Sequence, residues 1–199
     1  MIYKLKNWDS RFKPWIQTDN GIEAILRKAG VAHWLEDCGP TAAVNLLNAQ
    51  GYDTQVSCSG VWHPQPEDVL ALWLNDPRNA PIEQLALPGV DPLKVLGNEF
   101  SNYYPAALMY VFGARAIRIE RQGFAEVTAL LKSGVGVMIS LKNPRHFLAV
   151  GRHDEDRRVL GYRDSWPART GKDGFDLDMT EAEFSANCNS VILAVYPPE

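Results

Sequence analysis

Apolar residues recur at helical spacing through the first two thirds of the chain. Over 20–29, Ile22, Ile25 and Leu26 share one face, Asn20 stands at the capping position and Gly30 at the stop. A second helix is predicted over 39–50, with Ala43, Leu46 and Leu47 as its buried stripe and Gly51 as its terminator. A third covers 66–75 around VLALWLN and ends at Asp76-Pro77, and a fourth covers 104–112 and ends at Gly113. Between these two, 76–101 is rich in Pro, Gly and Asn and reads as loop with short turns. From Phe124 the pattern changes. FAEVTALLKSG is a short helix, and the apolar runs VGVMISL, FLAVG, RVLGY and VILAVY have strand length and turn-type separators, which predicts an antiparallel sheet. Thr180 and Glu183 have the spacing of a capping box and mark one more short helix, TEAEFSA.

The expected architecture is therefore α+β: a helical N-terminal lobe packed on a C-terminal antiparallel β-sheet, in a single domain over 1–199. The chain's 199 residues, 46% of them hydrophobic, are enough to bury such a core. A net charge of −4 with scattered Lys and Arg leaves no basic footprint and argues against a nucleic-acid partner. A polypeptide, glycan-peptide or small-molecule substrate fits better. MIYKLKNWDSRFKPW contains no apolar h-region, and no segment is long enough to cross a bilayer, so a cytoplasmic product without a membrane partner is expected as synthesised. Cys38, Cys58 and Cys188 are too few and of odd number for a disulfide framework, which favours a reducing compartment. Oligomeric state leaves no sign in the sequence.

Cys38 stands in LEDCGPTAAVNLL, immediately before a predicted helix, where unpaired N–H groups and the helix dipole favour a thiolate. A small buried hydrophobe would also fit there. Glu36 and Asp37 oppose ionisation of the thiol, so its activation falls to a histidine. His146 opens the run HFLAVG, and RHDEDRR after it reads as an exposed hairpin tip that includes His153. A turn centred on Glu155 sets His146 opposite Asp164, and opposed Cβ atoms lie ~4.5–5.5 Å apart. A carboxylate there fixes the imidazole tautomer, leaves the other nitrogen to accept the thiol proton and stabilises the imidazolium. Taken singly, the two residues also fit as a strand-end histidine and a turn aspartate.

Three stretches, in this chain order, resemble the C39-like peptidases of the papain-like superfamily. DCGPTAAVNLL resembles their nucleophile helix. GVGVMISLKNPRHFLAVGRHDEDRRVLGYRDSWP is similar to their catalytic half, with His opening one strand and the third catalytic residue closing another. RDSWPARTGKDGF is similar to the papain Asn-Ser-Trp-Gly segment, with Asp164 at the Asn position and Trp166 at the Trp that packs over the His–Asn pair. The closing MTEAEFSANCNSVILAVYP resembles the helix-then-strand ending of these domains. The resemblance lies mostly in residues 37–51 and 134–196, and it implies a papain-like fold and a cysteine peptidase. Cys38, His146 and Asp164 would be its triad, working through a covalent thioacyl-enzyme with no cofactor. One departure is that these enzymes place an oxyanion-binding Gln about six residues before the nucleophile, where this chain has Ala32 and then His33. The Cys38 N–H would supply one oxyanion donor, and His33 or Gln17 the second.

Two rival readings follow from the same residues: a peptidoglycan or isopeptide amidase of the NlpC/P60 or CHAP type, and an inactive papain-fold binding module. No metal is expected. Cys58 and His63 are too few for zinc, and Asp173, Asp176 and Asp178 do not follow the calcium-loop order and read as a solvated turn. Of the six dispersed tryptophans, Trp34, Trp62 and Trp166 are the groove candidates, and Trp73 has core spacing.

Overall fold

The computed structural model describes residues 1–10, 38–55, 65–75, 77–79, 104–120, 122–166 and 174–199. In chain order these form β1 (Ile2–Lys4), α1 (Cys38–Gln50), α2 (Pro66–Asn75), a 3-10 turn (Pro77–Asn79), α3 (Tyr104–Phe112), β2 (Ala116–Ile119) and α4 (Phe124–Lys132). Then follow β3 (Gly136–Leu141), β4 (His146–Asp154), β5 (Val159–Arg163), β6 (Leu177–Thr180), α5 (Glu181–Asn187) and β7 (Cys188–Val195). The fold is α+β, and every strand pairing is antiparallel. The expected helix over 20–29 and most of the expected loop over 76–101 lie outside the described residues.

The expected stripe of α1 is buried, but so is almost every other residue of that helix, Asn48 excepted. Its polar positions therefore need internal partners. Asn45 Nδ2 donates to Thr41 O at 3.0 Å, and Gln50 Nε2 donates to Val195 O at 2.7 Å. Gly51, at φ 97°, lets the chain turn out of the helix, with the N–H groups of Gly51 and Tyr52 both returning to Leu47 O at 3.0 Å.

The strands form one sheet in the order β2-β7-β3-β4-β5-β6, with β1 added on β4. One face carries α1 and α3, through Leu46, Leu47, Tyr104 and Leu108 against Met138, Phe147 and Ala149. The other carries α4 and α5, through Val127, Leu131 and Phe184 against Ile139, Leu148, Val150 and Leu160. Being covered on both sides, β3 and β4 read as unbroken apolar runs. The capping box at Thr180 forms as its spacing predicts: Glu183 Oε2 accepts from Thr180 N–H at 2.7 Å, and Thr180 Oγ1 accepts from Glu183 N–H at 3.3 Å.

The β4–β5 register differs from the expected one. The turn is Glu155–Arg158, with Arg158 at φ 52°, and near it His153 pairs with Leu160. Beyond a bulge between Val150 and Arg152, Ala149 pairs with Arg163. Continuing that register sets Leu148, not His146, opposite Asp164. His146 is then the diagonal neighbour of Asp164 on the same face, still within side-chain reach. The bulge supplies this parity, since the register near the turn, continued unbroken, would set Asp164 opposite Ala149 on the other face.

The expected exposed tip is also corrected. His153 is buried, stacked on Tyr3 at 6.2 Å between ring centroids and edge-on to Phe124 at 6.2 Å, because β1 and α4 cover it. Asp154 is buried and accepts from the N–H groups of Asp156 and Arg157, both at 3.1 Å.

Asp176 and Asp178 belong to a charged network rather than a solvated turn. Arg152 donates to Asp176 Oδ1 at 2.8 Å and to Asp178 Oδ1 at 2.6 Å, and Arg157 donates to Asp178 Oδ2 at 2.6 Å. Partial burial pushes the Asp178 carboxyl up, but the bonds from Arg152 and Arg157 outweigh it and hold the carboxyl below its ordinary value. A depressed folded value stabilises above the unfolded value, and that stability is lost as pH falls through the folded one. Asp178→Asn is thus expected to cost about 0.5–1 kcal/mol at neutral pH, allowing for solvent screening. The difference should vanish at a pH below the depressed value, as compared by urea unfolding of both proteins.

Candidate active site

Cys38 is the first residue of α1 and is buried, at 3% exposure. At a helix start the N–H groups of the first turn have no intrahelical acceptor, and the helix dipole is positive there. Pro40 fits this turn because its missing N–H would not have been used there. Gly39 allows the close approach that follows. A Cβ on it would fall on the Tyr104 hydroxyl and lie 3.3 Å from Phe147 Cδ2. The tip of α1 therefore docks against the residue that follows His146, and Cys38, Tyr104 and Phe147 share one core cluster.

His146 is the first residue of β4, and its Cα pairs with Leu141 of β3. Its Nε2 lies 2.6 Å from Asp164 Oδ1, with the two side chains 2% and 0% exposed. Asp164 follows the last residue of β5, and its own N–H donates to Gly174 O at 2.8 Å. Asp164 Oδ1 also accepts from Trp166 N–H at 2.9 Å. The Trp166 ring meets the His146 ring edge-on, 5.9 Å between centroids at 64°. The Asp164 backbone is thus tied to Gly174 and its carboxylate to the Trp166 N–H, and with Nε2–H donating to that carboxylate, Nδ1 is the ring nitrogen left for another partner. A buried, hydrogen-bonded His–Asp couple at a strand end is an arrangement suited to general base chemistry.

No protein-family model matches the sequence, and no curated protein matches it. Solved structures do, and one of them illustrates the likeness. It is a chain from Bacillus anthracis whose assignment as a C39-like peptidase is itself provisional, at 14% identity and a TM-score of 0.38, covering 65% of this chain and 90% of that one. The likeness is distant, so what can be said of the site rests on its own geometry.

Among the sequence-predicted site residues, His146, Asp164 and Trp166 come together, while Cys38 lies in the core cluster that contains Phe147, the residue after His146. Gln17, His33, Trp34 and Trp62 lie outside the described residues, as do Cys58, His63 and Asp173. The docking contacts of Gly39, Tyr104 and Phe147 went unread in the sequence, although a glycine directly after the candidate nucleophile is a signal of close approach. Among the described residues no helix is long and apolar enough to cross a membrane, and no group of three or more His, Cys, Asp or Glu could hold a metal ion.

Proposed function

We propose that the chain is a cysteine peptidase of papain-like, C39-like type in which Cys38, His146 and Asp164 form the triad. The observation that carries this reading is the buried His146 Nε2 to Asp164 Oδ1 contact of 2.6 Å, in a protein where Cys38 opens a buried helix whose second residue, Gly39, approaches Phe147. Asp164 holds the Nε2–H tautomer and orients the ring. His146 Nδ1 takes the Cys38 proton, and the thiolate attacks a peptide carbonyl. The tetrahedral oxyanion is met by the Cys38 N–H, with His33 or Gln17 as the second donor. His146 then protonates the leaving amine, and water attacks the thioacyl-enzyme to release the second product and restore the thiol. The substrate is a polypeptide lying along a groove to which Trp34, Trp62 and Trp166 contribute. No step requires a cofactor.

The test is incubation of the protein with a peptide library, followed by mass spectrometry of new termini. Cleavage by the wild type that disappears in Cys38→Ala is the expected result. Cleavage that persists in Cys38→Ala, or none by either protein alongside release of muropeptides from purified sacculi, would sink it, the second outcome in favour of the amidase reading.

A further inference from the structure

The first ten residues meet the sheet where its register changes. β3 pairs with β4 from His146 to Val150, and β1 takes over that edge from Arg152 to Asp154. Between the two spans lies Gly151, the extra residue of the bulge that puts Asp164 on the face of His146. A bulged residue has no partner in its own ladder, so its position depends on what packs against it. Here that is the N-terminal segment. Leu5 N–H donates to Gly151 O at 2.9 Å, and a Cβ on Gly151 would fall on the six-membered ring of Trp8.

Trp8 is fully buried and reaches β5 as well. The Arg163 guanidinium lies 4.5 Å from the centre of its ring, and the same guanidinium donates to the carbonyl oxygens of Trp8 and Ser10. Trp8 Nε1–H donates at 2.8 Å to Asp176 Oδ1, which also accepts from Arg152. One indole thus touches both the bulge on β4 and the residue that precedes Asp164 on β5. A cation over a buried aromatic face is oriented as well as attracted, so Arg163 cannot shift along the strand without leaving the ring.

We propose that Trp8 is a positioning residue, which locks the Gly151 bulge and the Arg163 guanidinium and so keeps Asp164 within hydrogen-bond reach of His146. Its consequence for chemistry rests on the triad reading above; its consequence for the His146–Asp164 couple does not. The test compares Trp8→Leu and Trp8→Phe with the wild type in two readouts. One is the His146 imidazole tautomer, from long-range proton–nitrogen NMR correlation. The other is the rate of Cys38 alkylation by iodoacetamide across pH, with near-UV circular dichroism reporting the fold.

In a folded Trp8→Leu protein the Nε2–H tautomer should lose its dominance, and alkylation near neutral pH should fall about 10²-fold, the cost of a misplacement of about 1 Å. Trp8→Phe, which keeps an aromatic face, should recover most of both. A folded Trp8→Leu protein with the wild-type tautomer overturns the proposal. Losses that appear only as the variants unfold overturn it in favour of plain core packing. A wild type that alkylates as an ordinary thiol would refute the triad reading alone, and the tautomer comparison would still decide the role of Trp8.

Discussion

Asp164→Ala is expected to lower kcat/KM by about 10²–10⁴-fold, while Asp164→Asn, whose amide oxygen can accept from both donors, is expected to lose less. The contrast follows from the contacts. Asp164 Oδ1 accepts from both His146 Nε2 and Trp166 N–H. An asparagine keeps an acceptor oxygen in that place, and so keeps the tautomer and the ring orientation, while giving up the charge that favours the imidazolium. Alanine removes the acceptor and leaves a buried imidazole N–H and a buried backbone N–H without their shared partner. If Asn and Ala lose activity equally, charge rather than orientation is what Asp164 supplies. Steady-state kinetics on one cleaved peptide, for the wild type and both variants, separates the two.

His146→Ala is the larger of the two expected losses, about 10⁴-fold or more in kcat/KM, because it removes the base that forms the thiolate and the acid that releases the amine in one change. The fold should tolerate it. His146 is the first residue of β4, its backbone pairing with Leu141 does not depend on its side chain, and Phe147 beside it still packs under Tyr104. A variant that is folded by circular dichroism and inactive is the expected outcome. A folded variant that retains peptide cleavage would mean that the thiol is activated elsewhere.

Helix positions were legible because α1, α2 and α3 have local stop signals, with Gly51 and Gly113 closing two of them at positive φ. The His146–Asp164 pairing was legible for a partly wrong reason. A turn centred on Glu155 gives the right face with the wrong direct partner, since the real turn lies farther along and the bulge at Gly151 corrects the parity. Alternation could not reveal that bulge, because β4 is buried on both faces and its apolar run has no in-and-out pattern. β1 was illegible for a related reason: three residues, IYK, carry too little pattern, and their pairing is with residues more than a hundred positions away. The same long-range pairing hides His153 and Asp154, which a run of charged neighbours otherwise marks as surface.

The most direct measurement is the pH dependence of Cys38 alkylation by iodoacetamide, read by peptide mass spectrometry in the wild type and in His146→Ala. The proposed triad predicts fast labelling at and below about pH 7 in the wild type, and its collapse in the variant. Slow labelling that follows an ordinary thiol value of about 8.5 in both proteins would contradict it and would favour the reading as an inactive binding module.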